Sequence, residues 1–232
     1  MNTLHIGIVG CSAEGAALCY RTICTEAPAR LGAHRHPEVS MHTPSLHRYV
    51  VRLEAGDLQG VAELMLGSAH KLARAGADFL VCPDNTIHAA LPLVRERSPL
   101  PWLHIAEVVA QEAERRGLRK LGLTGTRWLV DSDVYPAQLR ARGLDCVRPT
   151  PEERDAIDRI IMDELVPGRQ RPGQVEAFQR VMGRMKDAGC DGVILGCTEI
   201  PLVMDDANSP LPTLDSARLL ARAALERATR AA

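Results

Sequence analysis

Short apolar runs alternate with longer amphipathic stretches along most of the chain. His5-Ile6-Gly7-Ile8-Val9-Gly10 reads as a buried strand ending in a glycine turn, followed by a helical pattern over residues 14–31 with Pro28 near its exit. Residues 39–43 form a second strand pattern. Residues 56–76 place Leu58, Val61, Leu64, Met65, Ala69, Leu72 and Ala73 at helical spacing and close on Gly76, a residue type that commonly ends helices. Phe79-Leu80-Val81 is a third strand, residues 88–97 a helix, Leu103-His104-Ile105 a further strand and residues 106–116 a helix. Strands and helices alternating at these lengths predict parallel βαβ units, and so an α/β fold with parallel sheets flanked by helices.

The pattern then starts again. Lys120-Leu121-Gly122-Leu123-Thr124-Gly125 repeats the first strand and its glycine turn at an offset of 115. Gly189-Cys190-Asp191-Gly192-Val193-Ile194 repeats Gly76-Ala77-Asp78-Phe79-Leu80-Val81 at 113, and Ser209-Pro210-Leu211-Pro212 repeats Ser98-Pro99-Leu100-Pro101 identically at 111. Between these lie helical patterns over 132–142, 152–165 and 173–188 and a short strand over 144–147. Thr213-Leu214-Asp215 and an alanine- and leucine-rich helix close the chain. Three matches in one order predict two duplicated lobes. The expected N-terminal lobe is 1–98, with the C-terminal segment 213–232 packing on it, and the expected C-terminal lobe is 99–212. Duplicated lobes related by a pseudo-twofold axis would place a site in the cleft between them.

Candidate chemistry gathers where the repeated strands end. Ligands of open α/β sheets sit beyond the carboxyl ends of the strands, which is where Gly196-Cys197-Thr198-Glu199 follows Val193-Ile194-Leu195. A thiol there is a proton carrier or nucleophile if exposed, and an apolar filler if buried. At the offset of 113, Asp84 falls opposite Cys197, Asn85 opposite Thr198 and Thr86 opposite Glu199. Two proton-transfer groups on opposite faces of one carbon are what stereoinversion needs. Asp84 also suits a turn or helix cap, and Glu199 a helix first turn. The turns Gly10-Cys11-Ser12 and Gly125-Thr126-Arg127 present backbone N–H groups near helix starts, a natural anion site.

Composition narrows the function classes. A formal charge of −1 over 232 residues gives no reason to expect nucleic acid or an anionic membrane. Seven aromatic residues are too few for a base-stacking surface. Seven cysteines without CxxC spacing suit reduced thiols in the cytoplasm rather than a disulfide framework or a zinc site. No apolar run approaches a membrane span, and the N-terminal residues lack the regions of a signal peptide.

Pro83-Asp84-Asn85-Thr86-Ile87-His88 resembles the Pro-Cys-Asn-Thr-Ala-His signature of the aspartate/glutamate racemase family, and Gly196-Cys197-Thr198-Glu199 matches that family's second signature. The resemblance extends along nearly the whole chain and includes Gly125-Thr126-Arg127. It implies a cofactor-independent racemase or epimerase acting on a small carboxylate-bearing substrate of the aspartate or glutamate type. It further implies two α/β lobes and a homodimer. Asp84 stands where the family's first cysteine is expected, and Cys82, two residues earlier, reads as core. The resemblance points to catalysis by Cys197, Asp84 and Glu199 and to substrate α-carboxylate binding by Asn85, Thr86 and Thr198; the two anion-binding turns add Ser12, Thr126 and Arg127 as substrate-binding candidates. His47, with Arg48 beside it, lies in the region that would meet the distal carboxylate, but the local match is poor and a solvated surface pair is the better fit. Decarboxylation or cis–trans isomerisation of a small dicarboxylate with Cys197 as sole thiol is the alternative chemistry, and a decayed binding protein the alternative class.

Overall fold

The computed structural model describes residues 3–230. The chain divides into two compact units, Met1–Val108 with Ala217–Ala232, and Val109–Ser216. Both are built on parallel sheets flanked by helices.

In the first unit, β1 (Ile6–Val9) lies between β2 (Val39–His42) and β3 (Phe79–Val81), all parallel. β1 and β3 are buried along their length, as continuous apolar runs in parallel sheets require. The helices of this unit are α1 (Ala13–Glu26), α2 (Pro28–Leu31), α3 (Leu46–Glu54), α4 (Leu58–Arg74), α5 (Leu91–Arg95) and the start of α6 (Ile105–Arg115). A 3-10 turn, Thr86–Ala90, precedes α5. The helix expected over 14–31 is divided at Ala27, because Pro28 lacks the N–H needed to continue the helical ladder. The strand expected at Leu103-His104-Ile105 reduces to a single parallel bridge, Leu80 to Trp102, and Ile105 already opens α6.

In the second unit the order is β5 (Asp145–Val147), β4 (Lys120–Thr124), β6 (Gly192–Leu195), β7 (Thr213–Asp215), again all parallel. Around it run α7 (Arg127–Asp131), α8 (Val134–Arg140), α9 (Pro151–Arg159) and α10 (Gln174–Asp187). The helix expected over 152–165 changes character at Ile160, where Ile160–Leu165 winds as a π-helical turn. The last helix, α11 (Ser216–Arg230), returns to the first unit, where the Leu4 N–H donates to the Ala228 carbonyl at 3.0 Å and Arg222 grips Glu26. No described helix is long and apolar enough to cross a membrane.

The repeat is visible in the internal wiring of each unit. In one, the His5 N–H donates to Asp78 Oδ2 at 2.7 Å and the Asp78 N–H returns to the His5 carbonyl at 2.9 Å. In the other, the Asp191 carboxylate takes the Arg119 and Lys120 N–H groups at 2.7 and 3.0 Å, and its own N–H returns to Lys120 at 2.9 Å. Ser98 closes a ring on Leu100, donating to its carbonyl at 2.8 Å and accepting from its N–H at 3.3 Å. Ser209 does the same on Leu211 at 2.6 and 3.2 Å. Gly76 and Gly189 each end a helix with positive φ, +89° and +86°, a conformation that side chains with a Cβ resist.

The boundaries differ from those expected at 98/99 and 212/213. The Pro101 carbonyl accepts from Leu80 N–H at 2.8 Å and Trp102 bridges Leu80, which keeps residues 99–108 on the first sheet. Likewise β7 pairs with β6, so residues 213–215 belong to the second unit and only α11 returns.

Candidate active site

In each unit the sheet order reverses direction around its first strand, so the crevice at the switch point lies beyond the carboxyl ends of adjacent strands: β1 and β3, or β4 and β6. Ser12 follows β1, while Asp84, Asn85 and Thr86 follow β3. Thr126 and Arg127 follow β4, while Cys197, Thr198 and Glu199 follow β6. Every expected site residue except His47 therefore ends a strand at a switch point.

Gly196 sets the position of Cys197. Its N–H donates to the Thr124 carbonyl at 2.9 Å, and a Cβ on Gly196 would stand 2.4 Å from that oxygen. Only glycine lets the chain leave β6 so close to the end of β4. The next three residues then turn back on themselves. Cys197 Sγ donates to Glu199 Oε2 at 2.9 Å, and Thr198 Oγ1 donates to the same oxygen at 2.8 Å. Glu199 is buried, and a buried carboxylate needs such partners. Cys197 itself is half-buried. A thiol whose proton already points at a carboxylate can pass that proton on and recover it.

The helix starts beside these loops are capped from within. Ser12 Oγ accepts from Gly15 N–H at 3.2 Å and Thr126 Oγ1 from Leu129 N–H at 3.4 Å, making both hydroxyls N-caps. The Arg127 N–H, expected to face an anion, donates to the Asp158 carboxylate of α9 at 2.8 Å, and the Arg127 side chain is exposed. An acid of the chain's own thus takes the place expected for a ligand at that amide.

After β3, Asp84 is half-buried and its Oδ1 accepts from Ile87 N–H at 3.5 Å, a long cap on the 3-10 turn. Asn85 is buried and Thr86 half-buried. Cys82 is fully buried, and burial pushes its thiol well above the ordinary range, as its core reading requires. His88 anchors the loop. Its Nδ1 donates to the Asp84 carbonyl at 2.7 Å, and its Nε2 accepts from Ile105 N–H at 3.3 Å. These partners specify a neutral ring, and burial, reinforced by His104, pushes its pKa well down. His104, whose ring centroid lies 4.9 Å away, is lowered to about 4 by burial and by Arg95. His104 Nδ1 accepts from Ala106 N–H at 3.1 Å at the start of α6.

His47 is exposed on α3, which follows the edge strand β2 rather than β1 or β3. Two residues on, Tyr49 is fully buried against the core of the first unit. The periodicity of Leu46, Tyr49 and Leu53 is the signal that could have revealed both α3 and this residue.

The profile that defines the Asp/Glu/Hydantoin racemase family matches residues 6–224. The chain belongs to this family of isomerases. A candidate Asp/Glu racemase from Yersinia pestis is 30% identical and superposes with a TM-score of 0.88 over 97% of this chain and 99% of its own. An aspartate racemase homologue from Pyrococcus horikoshii OT3 is 28% identical, with a TM-score of 0.83 over 99% of this chain and 100% of its own. The broad specificity amino-acid racemase RacX of Bacillus subtilis is 24% identical over 166 residues, 72% of this chain and 71% of its own. Glutamate racemases match as well, but the chain spans only 53–56% of the length of three of them.

Proposed function

We propose that this protein is a racemase or epimerase of a small acidic amino acid, of the aspartate or glutamate type, that works without a cofactor. It moves a proton off and back onto the α-carbon. The observation that carries the reading is the Cys197–Glu199 contact of 2.9 Å at the end of β6. Cys197 supplies one proton carrier, Glu199 orients its thiol, and Asp84 is the second carrier. Asn85, Thr86 and Thr198 hold the substrate α-carboxylate. Membership of the racemase family and the amino-acid racemase activity named for the Bacillus relative support the same class of reaction.

The reference pKa values, about 3.9 for Asp and 8.5 for Cys, give the pair a direction. Near neutral pH a carboxylate is ready to accept a proton and a thiol is ready to give one. Turnover then runs first with Asp84 as base and Cys197 as acid, and the asymmetry shows as unequal kcat and KM for the two enantiomers.

Incubation with each enantiomer of aspartate and glutamate in D₂O tests this. Inversion with deuterium gained at the α-carbon is expected. Loss of CO₂, or binding without inversion, defeats the reading. Asp84→Asn should lower the rate and Asp84→Cys raise it. Wild-type rates in both variants would reduce Asp84 to a helix cap.

A further inference from the structure

His88 lies in the 3-10 turn that follows Asp84 and is buried. Neither of its ring nitrogens takes part in the chemistry proposed above, yet both are engaged. Its partners, Asp84 and Ile105, belong with it to the first unit.

The Ile105 N–H, 3.3 Å from Nε2, can only donate. Ile105 opens α6, and the Val108 N–H bonds back to the His104 carbonyl at 3.0 Å. The Ile105 amide therefore belongs to the first turn, where a helix offers no acceptor of its own. Nε2 must present its lone pair to that amide, so the single proton of the neutral ring sits on Nδ1. Burial, and then the neighbouring His104 ring, keep the imidazole uncharged. Nδ1 in turn lies 2.7 Å from the Asp84 carbonyl, which can only accept. The helix end selects the tautomer, and the tautomer selects the grip on Asp84.

The Asp84 carboxylate accepts from the Ile87 N–H at a long 3.5 Å, so of these two contacts the one to the backbone carbonyl is the tighter. Cys82 Sγ, 3.9 Å from the same carbonyl, adds only a weak donor. The backbone of His88 acts separately, its N–H donating to the Asn85 carbonyl at 3.2 Å. The side chain thus bears on Asp84, while the backbone bears on Asn85 whatever side chain stands at position 88.

We propose that His88 is a positioning residue for proton transfer, its Nδ1–H fixing the Asp84 backbone and so the place from which the carboxylate meets the α-carbon. This role rests on the reading of Asp84 as a proton carrier. His88 itself exchanges no proton with the substrate. Displacing a reacting group by about 1 Å can cost 10²-fold in rate.

Two substitutions separate the two nitrogens. His88→Asn keeps an amide N–H near the place of Nδ1 and gives up the bond to Ile105. His88→Gln carries its carbonyl oxygen to the place of Nε2 and gives up the bond to Asp84. Each loses one buried hydrogen bond, so the melting temperatures should fall by similar amounts. The kinetics are read on whichever of aspartate and glutamate the wild type inverts. His88→Gln should lose roughly 10²-fold in kcat, with KM little changed because Asn85 is still held through the backbone. His88→Asn should recover about tenfold of that loss. In the Asp84→Asn background, His88→Gln should cost nothing further in kcat.

Equal kcat in the two variants, or a His88→Gln loss that persists in full without the Asp84 carboxylate, overturns the role of His88 and leaves the racemase reading standing. So does failure of either variant to fold, which would assign its lost bond to stability alone. A wild-type protein that inverts neither amino acid overturns the racemase reading and this role together. Full activity in Asp84→Asn removes Asp84 from the chemistry and, with it, the role of His88.

Discussion

The Cys197 thiol and the Glu199 carboxylate meet at 2.9 Å across a single turn of backbone. The turn that brings them together leaves the end of β6 at Gly196, which is itself held by the Thr124 carbonyl of β4. Cys197→Ser keeps the shape but gives a far poorer proton carrier near neutral pH. Turnover should fall at least ~10²-fold, the lower end of a general acid–base contribution, with the melting temperature unchanged. Glu199→Gln keeps an acceptor but removes its charge, and charged hydrogen bonds are roughly twice as strong. A loss of about tenfold is expected there. Full activity in Cys197→Ser would remove the thiol from the chemistry.

Gly196→Ala forces a Cβ to within 2.4 Å of the Thr124 carbonyl and 2.6 Å of the Leu129 side chain. Overpacking of this kind costs roughly 1–3 kcal/mol. Urea unfolding should show that loss, and turnover should fall further than stability does because the displaced turn carries Cys197. Equal stability to wild type would mean that the strand ends can part without cost.

Thiol labelling should follow burial. Cys19 and Cys82 are fully buried, and burial pushes Cys19 up to about 12 and Cys82 well above its usual value. Cys24 and Cys197 are half-buried. Limited alkylation at pH 8, read by peptide mass spectrometry, should reach Cys24 and Cys197 long before Cys19 or Cys82. Inactivation should track Cys197. Early modification of Cys82 would bring that residue into the site and contradict its place in the core.

Two neutral histidines set an acid limit on stability. Burial depresses both His88 and His104, the latter to about 4. Between the unfolded value near 6.5 and the folded values, the unfolded chain binds protons that the folded one refuses. Stability is therefore intact above about pH 6.5 and falls as pH drops toward 4. His104 alone contributes a change on the order of 3 kcal/mol. Denaturant melts at pH 7.5, 6 and 5 should show the decline. His104→Asn, which can still cap Ala106 N–H, should flatten it. An unchanged slope in that variant would place the effect elsewhere.

How much of this was legible beforehand depended on whether the signal was local. The strands were readable because parallel sheets bury continuous apolar runs such as Phe79-Leu80-Val81 and Val193-Ile194-Leu195. The duplication was readable because the same local devices recur, down to the serine rings at Ser98 and Ser209. What escaped was set by tertiary contacts. The anion turn expected at Arg127 is met by Asp158, an acid 31 residues away in sequence. Trp102 stays with the first sheet through Leu80, which moved the unit boundary. Tyr49 carries no motif beyond the apolar spacing of α3, and its complete burial is a property that exists only once the chain is folded.

The bond from Leu4 to Ala228 also bears on the order in which the molecule can be made. A chain leaving the ribosome releases residues 109–216, all of the second unit, before α11 has been synthesised. The second sheet can therefore close while the first still lacks its last helix. During that interval the surface α11 will cover, including the Phe79 ring under Arg227, stays open to solvent and to chaperones. Newborn chains should be most vulnerable there, and protection from proteases should arrive only with the fifteen residues of α11.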